Sequence, residues 1–220
     1  SLEHSIDMYG LVAIGDSALY QNGTNAVNAD QGIANTAVGA HSLQDNDTGS
    51  FNTSFGWKAM QENIGGKENT AVGAGVLLNN VSGDFNTALG SQALYKNIIG
   101  YDNTAIGHGS LFDNLTGYEN TSIGSQAMSG NVNGHSNSSV GFESLYSNTT
   151  GNQNVAIGPR ALYSNLQGNG NVAIGDSSLH NNTASFNTAI GVKSLLRNVS
   201  GSLNTAIGVS ALRYNINGNF

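Results

Sequence analysis

Asn103-Thr104-Ala105-Ile106-Gly107, followed by Ser110-Leu111, Asn114 and Gly117, is one turn of a pattern that governs the whole chain. The opening pentapeptide recurs, with small variations, from residues 11, 35, 52, 69, 86, 103, 120, 137, 154, 171, 187 and 204. The starts are 17 residues apart except for a first step of 24 and one step of 16. Self-similarity at a fixed short period marks a repeat architecture in which each unit buries apolar side chains against its neighbours. A 17-residue unit is too short for a leucine-rich repeat or a helix-pair repeat, and the Thr, Val and Ile of the pentapeptide favour strand. The expected fold is all-β: a parallel β-solenoid (β-roll) of about twelve 17-residue coils. It forms a single domain over 11–220, after an N-terminal flank at 1–10 and with an insertion around 24–31. The x-Ala-Leu-x-x-Asn half of the coil has a helical turn as its alternative. At about 4.8 Å of rise per coil, the rod is on the order of 58 Å long.

Counting the pentapeptide's first residue as coil position 1, each position has a physical reading. Position 4 (Val38, Phe55, Val72, Leu89, Ile106, Ile123) and position 9, Leu or Met in every copy, are expected to form core rows. Position 13, with Ile64, Val81, Ile98, Leu115, Val132, Leu166, Val199 and Ile216, is expected to form a third buried corner. Positions 3 and 8 are mostly Ala or Ser, where bulk would block neighbouring coils. Glycine at position 5, from Gly15 to Gly208, predicts positive φ or close backbone approach. Gly49, Gly83, Gly117 and Gly151 mark a second corner at position 15. Pro159 falls just past the first corner, where no ladder donor is lost.

Asparagine occupies position 12 in every copy and position 1 in all but the first. Stacked asparagines bond to one another along the axis of parallel strands, so Asn46, Asn63, Asn80, Asn97, Asn114, Asn131, Asn148 and Asn165 are expected to form a structural ladder that fixes register. A thin rod with so many small side chains is underfilled as a monomer, and close approach of flat small-residue faces predicts self-association.

Composition narrows the function. The 220 residues include 30 glycines, one proline and only 10% charged residues, with a net charge of -7. No run of Lys or Arg forms the positive stripe that nucleic acid requires. There is no cysteine, so no disulfide or thiolate metal site. No apolar run approaches a membrane span, and residues 1–10 lack a basic start followed by an apolar stretch. The start at Ser1 reads as that of a fragment or processed piece.

The N-T-A-I-G-x-x-A-L-x-x-N-x-x-G unit resembles the head repeats of trimeric autotransporter adhesins, the YadA-like family, and their longer-period form in phage-type tail fibres and bacterial surface proteins. The resemblance covers residues 11–218, and Leu11 to Gly15, Asn154 to Gly158 and Asn171 to Gly175 lie closest to the family's V-A-I-G form. It implies a left-handed, homotrimeric roll in an extracellular, cell-surface or virion fibre, used for attachment to a host-cell surface or glycan receptor. The period is longer than in typical heads, and these residues hold no counterpart of the family's stalk or membrane anchor.

Other features are weighed against bland readings. Gly15-Asp16-Ser17-Ala18-Leu19 and Gly175-Asp176-Ser177-Ser178-Leu179 spell a serine-hydrolase signature. They sit where the repeat itself demands Gly and Leu, and the serine would need a histidine partner. His4, His41, His108, His135 and His180 fall at unrelated coil positions, so neither a triad nor a metal site is expected. No enzymatic activity or cofactor follows. Asn46, Asn80, Asn114, Asn148 and Asn198 match the glycosylation acceptor pattern, but as ladder residues. Position 10 brings Tyr95, Phe112, Tyr146 and Tyr163 to one edge, where they are candidate ligand-binding residues for sugar rings, with protomer packing as the alternative. The insertion is either a recognition loop or an N-terminal cap. The expected function is a trimeric fibre segment that displays a receptor-binding surface. The alternatives are a mechanical spacer and an ice-binding solenoid, the latter resting on the threonine row at position 2.

Overall fold

A computed structural model describes residues 9–219; residues 1–8 of the flank, His4 among them, lie outside the described residues. Twelve three-residue strands, from Val12–Ile14 to Thr205–Ile207, form one parallel sheet in chain order. Each pairs in register with the equivalent residues of the next coil, as Thr87, Ala88 and Leu89 do with Thr104, Ala105 and Ile106. The protein is thus an all-β parallel solenoid, and no helix occurs among the described residues.

Each strand covers only positions 2 to 4, yet stacking continues around the coil. The position 7 amide donates to the preceding coil (Lys58 N to Ala40 O, 2.9 Å), while that of position 9 donates to the following one (Leu111 N to Ala127 O, 3.0 Å). Positions 11 and 17 do the same, as in Asp113 N to Ser129 O at 2.9 Å and Glu119 N to Tyr101 O at 3.1 Å. The backbone turns its polar groups onto the axis by adopting positive φ at every described residue of positions 7, 9 and 17, mostly with residues other than glycine: Gln126 at 56°, Leu111 at 52°, Glu119 at 54°. Left-handed backbone at Leu111 excludes the helical turn considered for this half of the coil. Turns close instead from Gly107 O to Ser110 N and from Leu111 O to Asn114 N.

Glycines serve two purposes. Gly107 has a φ of 128°, and a Cβ there would lie 2.6 Å from the carbonyl carbon of Gly124. Gly117 is outside the positive-φ set; it is needed for space, because a Cβ would strike the Asn114 side chain and the Gly134 carbonyl. Pro159 costs nothing, since its carbonyl still accepts from Ser177 N.

The core differs from the expected one. Position 9 is fully buried from Leu43 to Leu195, and the Ala and Ser of positions 3 and 8 pack around it. Position 4 is not a core row: Phe55 is 40% and Leu89 47% exposed, and Val38, Val72, Ile106 and Ile123 also lie at the surface. In a strand, alternate side chains point to opposite faces, so with position 3 inward, positions 2 and 4 must face out. Position 13 is likewise no buried corner; Ile64, Ile98, Leu166, Val199 and Ile216 are exposed and Val81, Leu115 and Val132 half-buried. The small residues therefore line the interior and form no outward face for association. A single Leu or Met per coil fills the narrow lumen, joined in one coil by Val76 at position 8, and position 3 opposite holds only Ala or Ser. Ser54, Ser122 and Ser139 at position 3 each meet a position 8 serine, as in Ser110 Oγ to Ser122 Oγ at 2.8 Å.

The rest of the interior is asparagine. The amide of Asn114 donates to Asn97 Oδ1 at 2.8 Å and to the Gly117 carbonyl of its own coil at 3.0 Å. The same bonds run unbroken from Asn46 through Asn63, Asn80, Asn97, Asn114, Asn131 and Asn148 to Asn165, at 2.7 to 3.0 Å between side chains. A second column stands at position 1, where Asn103 Oδ1 accepts both the backbone N–H and the side-chain amide of Asn120 (3.1 Å each) and Asn103 Nδ2 donates to Gly117 O at 2.9 Å. All of these asparagines are buried, which places the Asn46, Asn80, Asn114, Asn148 and Asn198 acceptor sequences out of reach of glycosylation in the folded chain. The one-residue deletion interrupts the position 12 column: Asn182 Nδ2 bonds Ala184 O at 2.7 Å, and Asn165 Oδ1 has no partner.

The geometry sets the cost of individual substitutions. Gly107→Ala should lower unfolding stability by ~3 kcal/mol or more, combining left-handed strain with a backbone collision, whereas Gln126→Gly should raise it by up to ~1 kcal/mol; chemical denaturation measures both. Asn114→Ala, which deletes two donated bonds and an acceptor for Asn131, should cost ~3 kcal/mol or more. Inserting one residue between Thr183 and Ala184 together with Ala184→Gly should restore the broken column and raise the unfolding midpoint.

Candidate functional site

Stacking turns every coil position into a row, so a side chain's neighbours are the same position one coil away. At position 10 this brings together Tyr95 and Phe112, with ring centroids 5.0 Å apart and planes within 2°, and Tyr146, Tyr163 and His180, at 5.2 and 5.0 Å. Ser129 separates the two stacks, so the four candidate residues form two groups rather than one strip. Their faces cover one another; what the columns present to solvent is ring edges and the faces at their ends.

A second column stands at position 16, where Tyr101 stacks on Tyr118 at 4.9 Å and Tyr118 on His135 at 4.6 Å. The sequence shows it only when histidine is read as an aromatic and position 16 is compared from coil to coil. Packing, with Tyr118, Glu119 and Asp102 nearby, raises the Tyr101 phenol above its ordinary pKa. Two cations lie over aromatic rings: Lys96 stands 5.3 Å from the centre of the Phe112 ring of the position 10 column and pairs with Asp113 at 2.7 Å, and Arg160 stands 5.7 Å from the lone Phe142 ring at position 6 and pairs with Glu143 at 2.7 Å. The Glu143 hydrogen bond raises the Arg160 guanidinium further.

The best-formed concavity, of about 320 Å³, lies at coil positions 6, 7 and 10. Its floor is Ala74, Gly75 and Leu78; one wall is Trp57 with Lys58, the other Ser91, Gln92 and Tyr95. Trp57 is 56% exposed, and the Lys58 ammonium lies 4.9 Å from its ring centre. Of the candidate ligand-binding residues only Tyr95 reaches this notch. Trp57 was missed, though the sequence marks it: it is the single tryptophan, at a position where the flanking coils have Ala40 and Ala74.

The insertion is a compact loop between positions 12 and 15. Asn25 donates through its backbone and side-chain nitrogens to the Asp47 carboxylate at 2.6 and 2.7 Å, the Gln31 amide oxygen accepts from Val27 N at 2.7 Å, and Val27 stands 78% exposed at the loop surface. The hydrolase-like serines turn to their own neighbours, Ser17 Oγ to Asp16 at 3.4 Å and Ser177 Oγ to Asp176 at 2.7 Å, while His180 Nδ1 meets Asn181. Among the described residues no group of three or more His, Asp or Glu stands where it could hold a metal ion. No protein-family model, curated protein or solved structure matches the chain.

Proposed function

We propose that the chain is a structural and adhesive fibre segment in which three copies associate side by side and display a receptor- or glycan-binding surface outside the cell, on a cell surface or a virion. The observation that carries the reading is the outward face of the sheet. Val, Ile, Leu or Phe at position 4 runs the full length of the rod without a polar interruption, half-buried or exposed in every coil, beside a position 2 row that is threonine in eight coils and Val12, Ser138, Val155 and Val172 in the other four. An apolar stripe of that extent calls for a partner, and a second copy offers the same repeat at the same spacing. A cyclic trimer needs two different surfaces on each protomer. A further largely apolar row at position 13, with Ile64, Ile98, Leu166, Val199 and Ile216 exposed, supplies the second. The resemblance to trimeric adhesin heads agrees with this arrangement. Positions 6, 7, 10, 11 and 16, where residue type varies from coil to coil, remain for ligand contacts.

A mechanical spacer within the same fibre shares every feature except ligand binding. The ice-binding reading draws on the same flat face, where threonine and aliphatic rows repeat at strand spacing; it requires that face to be free in solution.

Light scattering after size exclusion should give three times the 22.6 kDa protomer mass. Replacing Ile123 and Ile157 by lysine should yield folded monomers. A wild-type monomer that inhibits ice recrystallisation would replace the fibre reading by the ice-binding one.

A further inference from the structure

We infer that the notch between Trp57 and Gln92 is a subsite for a single carboxylated pyranose ring, an inference that rests on the attachment reading and assigns it a ligand class. The notch arises by subtraction. Ala74 and Gly75 are the smallest pair that any coil places at positions 6 and 7, set between Trp57-Lys58 and Ser91-Gln92. Coil 4 therefore lacks the surface side chains that its neighbours carry, and the walls stand two coils, about 9.6 Å, apart along the axis. A volume of about 320 Å³ is at the small end of ligand sites, suited to one ring.

The lining specifies the chemistry of that ring. Exposed indole offers an apolar plane of the kind that the C–H face of a sugar covers. Gln92, Ser91 and the Tyr95 hydroxyl offer donors and acceptors at the opposite wall, and the floor amides are already occupied, Gly75 N by Trp57 O at 2.9 Å and Gln92 N by Ala74 O at 3.0 Å. Polar recognition is thus left to side chains. No acidic residue lines the notch, in a chain whose net charge is -7. Lys58 stands at its edge, and the ion pairs among the described residues, Lys96–Asp113 and Arg160–Glu143, do not include it. A cation held over the indole, 4.9 Å from its ring centre, and outside those ion pairs selects a ring bearing a carboxylate over a neutral one.

Trp57 is the only tryptophan, so its fluorescence reports on the notch directly. Titrating glucuronic acid, N-acetylneuraminic acid and glucose into the whole protein should give a saturable change for at least one acidic sugar, in the millimolar range expected of a single-ring contact, and at least tenfold weaker binding for glucose. Lys58→Gln should bring acidic and neutral sugars to parity. Gly75→Gln should abolish the response without loss of fold: φ at Gly75 is 60°, the nearest atom to an added Cβ is 3.6 Å away, and Gln92 and Gln126 hold the same position at 60° and 56°. No saturable change with any of the three overturns the proposal, as does equal binding of glucose or binding that survives Gly75→Gln. A glycan array run on the intact oligomer separates the two readings. Array binding that persists in Gly75→Gln overturns the notch alone, and an oligomer that binds nothing overturns the attachment reading with it.

Discussion

A buried carbonyl that receives two asparagine amides is the constraint on which the rest of this structure depends. In each regular coil the position 15 carbonyl accepts from the position 12 and position 1 side chains, and each of those side chains bonds onward to its counterpart in the next coil. Buried polar groups of this kind stabilise only when every donor and acceptor is matched, so the network sets how many residues may lie between the two columns. The two irregular coils show the limit. The insertion adds its residues between positions 12 and 15 and leaves the column intact, with Asn22 Nδ2 on Gly32 O at 2.7 Å and Asn46 Nδ2 on Asn22 Oδ1 at 2.6 Å. The deletion in the same segment pulls Ala184 into the glycine's place and strands Asn165 Oδ1. Extra chain can loop outward; a missing residue cannot be made up.

The same requirement explains a backbone that looks costly. Only three residues per coil are strand, and besides the position 5 glycine three more adopt positive φ, most of them with side chains that ordinarily avoid it. Reversing the sign of φ at positions 7, 9 and 17 turns N–H groups alternately toward the coil above and the coil below, so positions outside the sheet are still laddered. A tight corner built from right-handed turns would leave those groups buried and unpaired, a larger penalty than the strain. Gly75, Gly109 and Gly170 relieve it at single coils, which shows that the conformation belongs to the fold and not to the residue that happens to occupy it.

Much of this was legible in the sequence because a solenoid repeats its own test. The position 5 glycines and position 12 asparagines are invariant over twelve copies, and the period, the Leu or Met row at position 9 and the position 1 asparagines nearly so; uniformity at a buried position has a physical cause. Positions 4 and 13 were misread because apolarity was taken as burial. A better criterion lay in the same rows: position 3 is never larger than Ala or Ser, as a filled lumen demands, whereas position 4 ranges from Val to Phe, as only an open surface allows. The left-handed backbone left no such trace, since Leu, Lys, Gln, Glu and Phe at positions 7, 9 and 17 carry none of the glycine or asparagine preference that usually announces it. Of the surface, the position 10 aromatics could be seen as a row but not as two stacks, because a single Ser129 decides where the column breaks.

Stacking also dictates how such a fold can make a site. Side chains on a solenoid surface meet only their counterparts above and below, so a concavity requires a coil that carries less than its neighbours. Columns of aromatics do the reverse: by covering each other's faces they surrender the planes that a ligand would use, and gain rigidity at the edge. Trp57 escapes this because the next coil offers Ala74 and Gly75 instead of a second ring. A concavity on this scaffold therefore depends less on which large residues a row contains than on where the row is interrupted, and an interruption at positions 6 and 7 leaves the asparagine network, and with it the fold, untouched.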